Sequence, residues 1–234
     1  MIYYTRKLFE GVFVMISIKN LYLKYTREYF ALYDINMEIE KGEAVALVGE
    51  DDSGKTSLIR VLAKLEKPTK GGIYIENRPL KQVNFKNDIS AGYVPATPVF
   101  FEKKTVYENF KYILSTRKLP PNEIENKINE AIIEYSLEKI RDEKICNLSI
   151  EEKYVLSLIR LSFRELDLLV VDNIFDKLSD IYIEIIIDLI KRLKGKDTTL
   201  ILATTNEKIA NMLCKRKIYF KHGSIVTLEE FLAQ

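Results

Sequence analysis

Apolar and polar residues alternate over much of the first fifth of the chain. Ile16 and Ile18 alternate early, and Ile35, Met37 and Ile39 then alternate with Asn36, Glu38 and Glu40, the period of two that a half-buried strand requires. Lys41-Gly42-Glu43 reads as a turn, and the run Ala44-Val45-Ala46-Leu47-Val48 that follows has no polar face and predicts a strand buried on both sides. A glycine-bounded segment from Gly49 to Gly54 comes next, and then Leu58, Ile59, Leu62 and Leu65 at helical spacing. The order is strand, loop, helix.

After Pro68 and Gly71-Gly72, the triplet Ile73-Tyr74-Ile75 predicts a strand, and residues 91–95 predict another. Beyond Pro98 the pattern turns helical. Thr105 and Glu108 form a capping box opening a helix to about Arg117, Pro120-Pro121 breaks it, and Asn122 caps a further helix through Tyr135. Residues 99–164 therefore read as mainly helical. Leu168-Leu169-Val170-Val171 is a second buried-strand run, followed by a helix to Lys194 that Gly195 ends and a third run over residues 199–203. Within that helix Ile181, Ile185, Ile186, Leu189 and Leu193 form an apolar stripe that predicts core. The chain shows neither an internal repeat nor a long polar linker.

Composition narrows the class. A chain of 234 residues with 47% apolar and 30% charged residues suits one compact domain carrying a subdomain and excludes disordered or collagen-like classes. The 36 Lys and Arg nearly cancel the 34 Asp and Glu, leaving +2, so bulk charge points to neither nucleic acid nor membrane and any anionic ligand needs a local site. Cys146 and Cys214 form no CxxC pair, which predicts a reduced cytoplasmic protein with two buried thiols. Glu184 and Asp188 interrupt even the apolar stretch at 181–190, so no run reaches the roughly 18–20 residues of a membrane span, and any membrane contact is expected through a partner. Arg6 and Lys7 precede an apolar stretch that lacks a cleavage pattern, which is not a signal peptide. Residues 1–14 read as an N-terminal extension, with Met15 as an alternative start.

The chemistry concentrates in Gly49-Glu50-Asp51-Asp52-Ser53-Gly54-Lys55-Thr56, which satisfies G-x-x-x-x-G-K-[ST] between a predicted strand and a predicted helix. Backbone N–H groups of such a loop point at an anion and the helix N-terminus adds partial positive charge. Lys55 reaches the β- and γ-phosphates and Thr56 ligates Mg²⁺. Glu50, Asp51 and Asp52 cut against tight binding if they point inward and matter little if they face solvent. Asp172 ends a buried strand, the edge at which α/β sheets bind ligands, and together with the loop it is read as a Mg²⁺ ligand.

At this point the residues resemble the ATP-binding cassette (ABC) family, specifically its transporter nucleotide-binding subunits, over residues 16–234. The resemblance rests on Leu32-Tyr33-Asp34-Ile35 and Lys41-Gly42-Glu43 before the loop, with Lys67-Pro68-Thr69 and Gly72-Ile73 after it. It continues through Gly92-Tyr93-Val94-Pro95, Thr105-Val106-Tyr107-Glu108-Asn109, Leu148-Ser149, the Asp172 strand and Gly223-Ser224-Ile225-Val226. It implies a three-layer α/β P-loop NTPase fold with a mixed sheet, an antiparallel N-terminal portion, and a helical subdomain at about 99–164 that meets a transporter's membrane part, inserted in a nucleotide-binding domain over 15–234. It implies ATP and Mg²⁺ as cofactors, bound by Gly49, Asp51, Asp52, Ser53, Gly54, Lys55, Thr56, Ser57 and Asp172, with Tyr25 stacking on adenine.

The sequence departs from that family where water is activated. The Gln expected after the Tyr-Val-Pro stretch is Ala96, the Glu expected after the Mg²⁺ Asp is Asn173, whose amide accepts no proton at neutral pH, and the switch His is Thr205. The signature Leu-Ser-Gly-Gly-Gln becomes Leu148-Ser149-Ile150-Glu151-Glu152, and Ser149 with Glu152 equally reads as an ordinary capping box. The Asp that closes the following loop aligns with Ser179 or, shifted by one, with Asp180. His222 precedes Gly223 in an expected hairpin turn. The Asn147 sequon is read as chance.

Two functions follow as expectations. One is an ATP-binding subunit of a membrane transporter, dimeric with itself or with a second ABC subunit, peripheral at the inner face of the cell membrane, with weak or absent hydrolysis. The other is a non-hydrolysing pseudoenzyme that senses ATP or scaffolds a membrane or envelope complex. The length leaves no room for tandem cassettes or coiled coils, which removes nucleic acid as a partner.

Overall fold

A computed structural model describes residues 13–26, 29–85 and 87–233. Most of the N-terminal extension expected at 1–14 lies outside these residues, but Val14 already belongs to the first strand. The elements run in the order β1 (Val14–Lys24), β2 (Phe30–Glu40), β3 (Ala44–Val48), α1 (Lys55–Leu62), β4 (Lys70–Ile75), β5 (Arg78–Pro79), β6 (Ala91–Val94), α2 (Val106–Ser115), α3 (Pro121–Glu134), α4 (Ile150–Ser162), β7 (Leu168–Asp172), α5 (Asp180–Leu193), β8 (Thr199–Thr204), α6 (Glu207–Leu213), β9 (Arg216–Lys221), β10 (Ser224–Val226) and α7 (Leu228–Leu232).

The strands make two sheets. An antiparallel one has the order β2-β1-β4-β5, and a mixed one has the order β10-β9-β3-β8-β7-β6. In the mixed sheet β9, β3, β8, β7 and β6 are parallel and only β10 is antiparallel. The two faces of the central strands explain their unbroken apolar runs. Val45 and Leu47 of β3, Val170 of β7 and Ile201 of β8 pack toward α1 and the antiparallel sheet. Ala46, Val48, Val171 and Leu202 pack toward the remaining helices. A strand covered on both faces needs apolar side chains at every position.

The helical part lies where the sequence places it. Thr105 Oγ1 accepts from the Glu108 N–H while the Glu108 carboxylate accepts from the Thr105 N–H, closing the expected box at α2. Buried Asn109 ties the preceding loop down: its Oδ1 accepts from the Phe101 N–H at 2.9 Å and its Nδ2 donates to the carbonyl of Thr105 at 2.9 Å. Three expectations need correction. Asn122 does not cap α3; the cap is Pro120 and the helix starts on Pro121, because the fixed φ of proline suits the first helical position. The stripe on α5 is not all core, since Ile181 and Ile185 are 72% and 41% exposed. Apolar residues wrap more than half of that helix, and the core takes the half that carries Ile186, Ile187 and Ile190. Cys214 is buried as expected but Cys146 is exposed, because the short turn Ile145–Asn147 buries only Ile145.

Candidate nucleotide site

The loop after β3 closes at the N-terminus of α1, and two of its glycines are fixed by geometry. A Cβ on Gly49 would lie 2.5 Å from the Phe220 carbonyl oxygen. Gly54 has φ +105°, and a Cβ there would lie 2.7 Å from the Ala31 carbonyl oxygen, so both the conformation and the space demand glycine. The hairpin between β9 and β10 props the loop from outside, with the Gly223 N–H donating to the Ser53 carbonyl at 2.9 Å.

Inside the loop, Lys55 is 4% exposed and its Nζ donates to the carbonyls of Gly49 at 2.7 Å and Glu50 at 2.6 Å and to Ser53 Oγ at 3.1 Å. Burial holds the ammonium below its ordinary pKa, offset by the negative charges of Asp51, Asp172, Asp176 and Asp52. Glu50, Asp51 and Asp52 are exposed. These acidic side chains are open to solvent, yet the charges of Asp51 and Asp52 still reach Lys55 inside the loop.

Asp172, at the end of β7, is buried, and Thr56 Oγ1 donates to its Oδ1 at 2.8 Å across 116 residues of sequence. Burial raises its pKa, opposed by the hydrogen bonds from Thr56 and Tyr93 and by the charges of Lys55 and Arg60. A hydroxyl and a carboxylate converging beside a phosphate loop are the hard oxygen donors that Mg²⁺ takes alongside substrate phosphates and water. The residues fit that ion: Thr56 and Asp172 would hold it, and its charge would offset that of a polyphosphate. Tyr25 is exposed, and its hydroxyl lies 3.3 Å from Ser57 Oγ, which sets its ring beside the first turn of α1.

Three of the substituted positions, Asn173, Thr205 and Ala96, follow the C-terminal ends of β7, β8 and β6. Asn173 has φ +46°, a left-handed conformation that Asn tolerates. Its N–H donates to the Ala203 carbonyl at 3.0 Å, and its buried Oδ1 has no partner among the described residues. Thr205 follows the last residue of β8, and its hydroxyl donates to Asp176 Oδ1 at 2.8 Å. The Ala96 carbonyl accepts from Tyr154 Oη at 2.6 Å, joining that position to the core of α4. At Leu148-Ser149-Ile150-Glu151-Glu152 the capping box forms, with Ser149 Oγ accepting from the Glu152 N–H. Glu151 turns away to accept from the Ser179 N–H at 2.6 Å, which lowers its pKa. Ser179 is the N-cap of α5, and Asp180 is that helix's first residue. His222 and Gly223 form the expected hairpin turn, both with positive φ, and His222 lines a cavity of about 310 Å³ together with Glu50, Asp51 and Asp52.

Two groups at this edge escaped the sequence reading. Tyr93 Oη donates to Asp172 Oδ2 at 3.4 Å; burial first, then the neighbouring Asp172, pushes its pKa up to about 12. Asp176 is the other, an exposed carboxylate four residues beyond Asp172. Its only signal in the sequence is an acid in the loop whose expected acid is missing.

Known proteins carry the same architecture. The chain is 26% identical over 220 residues to a methionine import ATP-binding protein, MetN 2, of Bacillus cereus, covering 91% of this chain and 65% of that one. It therefore spans about two thirds of the length of these relatives. It is also 26% identical to the uncharacterized ABC transporter ATP-binding protein YthP of Bacillus subtilis, covering 86% of this chain and 80% of that one. Among solved structures, CbiO1 of Clostridium perfringens, part of the ABC transporter complex CbiONQ, superposes with a TM-score of 0.77 at 24% identity, covering 92% and 87% of the two chains. The ATP-binding cassette MJ0796, in a dimeric post-hydrolysis state bound to ADP and Pi, superposes with a TM-score of 0.79 at 23% identity, covering 91% and 97%. These likenesses show the α/β P-loop NTPase fold of ABC ATPase domains. A family model for ABC transporters matches residues 32–176, a stretch that takes in the whole phosphate loop and Asp172, and the chain belongs to that family.

Proposed function

We propose that the chain is the ATP-binding subunit of an ABC transporter-type complex, in which nucleotide binding with slow hydrolysis is coupled to a membrane partner. The observation that carries this reading is the assembly of Lys55, Thr56 and Asp172 at one end of the sheet, with Thr56 Oγ1 2.8 Å from the Asp172 carboxylate. ATP with Mg²⁺ is the ligand this arrangement suits, and Tyr25 beside Ser57 suits stacking on the base. Hydrolysis is slow in this reading because Ala96, Asn173 and Thr205 stand where water is normally positioned and activated, and loss of a general base typically costs about 10²–10⁴ in rate.

No helix among the described residues is long and apolar enough to cross a membrane, so the membrane contact belongs to a partner, with this chain at the inner face of the membrane. The helical part at 99–164 supports a docking role. Val99, Phe101 and Tyr112 are exposed there. Arg117, Arg160 and Arg164 line a neighbouring cleft of about 630 Å³, each donating to a backbone carbonyl. Exposed apolar side chains beside arginines are characteristic of a surface that meets another protein. A homodimer or a heterodimer with a second ABC subunit completes the proposed assembly. Ala96, in place of the family's coupling Gln, favours a second reading, an ATP-sensing or scaffold subunit that does not pump, because a methyl group offers neither a hydrogen bond nor a metal ligand.

Titration with a fluorescent ATP analogue, with and without Mg²⁺ and with Lys55→Ala as control, tests the nucleotide reading. Micromolar, Lys55-dependent binding, about −8 kcal/mol, is expected. Absence of binding at millimolar nucleotide would overturn it. Co-purification with a membrane-spanning transporter subunit supports the first reading, and nucleotide-dependent capture of a scaffold complex without one supports the second.

A further inference from the structure

The sheet order decides which residues can stand opposite the terminal phosphate. β8 lies between β3 and β7, with Thr204 in register with Val48, the last residue before the phosphate loop, and Ala203 in register with Asp172. Thr205 is the first residue past that end, so it stands between the phosphate loop and the proposed Mg²⁺ carboxylate. It brings a partner there. Its hydroxyl donates to Asp176 Oδ1 at 2.8 Å, and Asp176 is exposed, which leaves Oδ2 open to water. Asp176 is exposed, yet its backbone is anchored, since Ile174 and Phe175 on the same turn are buried in the core. The charge of Asp176 also reaches into the site, where it acts on buried Lys55 and on Tyr154. Position 173, by contrast, offers only an amide.

We propose that Asp176 is the general base of this chain, taking the proton of the water that attacks the γ-phosphate, with Thr205 as its positioning residue. The proposal rests on the nucleotide reading above and adds to it the source of residual turnover. The step balances without another reactant. The water oxygen bonds to the γ-phosphorus, and the bond from that phosphorus to the β,γ-bridging oxygen breaks, its electron pair leaving on ADP. The proton of the water passes to the Asp176 carboxylate and from there to solvent, so the products are ADP and inorganic phosphate. A carboxylate three residues further along the loop than the usual position is a poorer base by placement, which accords with slow turnover rather than none. Its hydroxyl-bearing partner keeps one oxygen fixed, so the other lone pairs point in a defined direction.

The test pairs a binding measurement with a single-turnover one on the full chain. ATP-analogue affinity is read by fluorescence, and conversion of bound ATP to ADP is read after acid quench, both against Lys55→Ala. Asp176→Asn is expected to leave affinity within about twofold and to slow Lys55-dependent conversion by about 10²-fold. Thr205→Val is expected to slow it by about tenfold, and Thr205→Ser, which keeps the hydroxyl, to restore most of the rate, a pattern that a merely structural Thr would not give. Adding Asn173→Glu to Asp176→Asn is expected to return conversion to at least the original rate. Unchanged conversion in Asp176→Asn with binding intact overturns the proposal and leaves the nucleotide reading standing. Binding without any Lys55-dependent conversion in the unaltered chain also overturns it. Absence of binding in the unaltered chain overturns both.

Discussion

Cys214 follows the last turn of α6 inside the core, where burial pushes its thiol up to about 12, opposed only by the charge of Lys194. Cys146 stands exposed in the turn before α4. Thiolate is the reactive form, so burial suppresses Cys214 twice, by access and by ionisation. At pH 8 a thiol reagent is expected to modify one equivalent of the native protein, at position 146, and two after denaturation. Cys146→Ser should remove the native reaction entirely. Modification of Cys214 at the same rate as Cys146 in the native state would contradict the packing around α6. The sequence expectation of two buried thiols failed at one of them for a physical reason. A lone Cys behaves as a small hydrophobe, but in a turn of three residues no periodicity tells which side chain points inward, and here Ile145 takes that place.

At the scale of elements, three helices begin with the same device. Thr105 with Glu108, Ser149 with Glu152 and Thr227 with Glu230 each exchange two side chain–backbone hydrogen bonds. The hydrogen bond from the Thr105 N–H, above all, lowers the pKa of Glu108, and that from the Thr227 N–H lowers the pKa of Glu230, both from an ordinary value of 4.5. The folded-state values are depressed, so this stability is present in full above about pH 4.5 and is lost as pH falls through the lower folded values. Urea unfolding should accordingly show the midpoint falling on acidification below that point, less steeply in Glu108→Gln. Thr105→Ala should lower stability by about 1 kcal/mol at neutral pH, and no change would mean that α2 is held by packing alone. The first two boxes were legible because capping is a contiguous pattern of four residues. Asn122 misled for the same reason, since an Asn near Pro120-Pro121 satisfies the local rule, while proline's fixed φ sets the helix start two residues earlier. Most strands were equally legible, β5 and β9 excepted, but the division into two sheets was not: β1 pairs with β2 and β4, and β3 with β8 and β9, and such pairings are settled by long-range burial rather than by local alternation.

Across the whole molecule, the phosphate loop was readable because eight consecutive residues spell it, whereas the rest of the site is made of pairs distant in sequence. Thr56 meets Asp172 across 116 residues, Tyr93 meets Asp172 across 79, Tyr154 meets Ala96 across 58 and Thr205 meets Asp176 across 29. Each pair joins a different strand or helix to the C-terminal edge of the mixed sheet, so a ligand held there touches several elements that unfolding would separate. Binding to the folded state alone stabilises it by an amount set by the ratio of ligand to dissociation constant, about 2.7 kcal/mol at a hundredfold excess over Kd. For a chain of this size each kcal/mol raises Tm by about 2–4 °C, so saturating Mg²⁺ and ATP analogue should raise it by about 5–11 °C. Removing Lys55 changes the free protein as well, because its ammonium holds the carbonyls of Gly49 and Glu50. The informative quantity is therefore the shift between nucleotide-bound and free samples of the same variant. Lys55→Ala should show almost none. Asp176→Asn should keep the full shift, since that carboxylate is assigned to the attacking water and not to holding the nucleotide. An equal shift in the parent chain and Lys55→Ala would place the ligand away from the phosphate loop, and loss of the shift in Asp176→Asn would make Asp176 a binding group instead of a base.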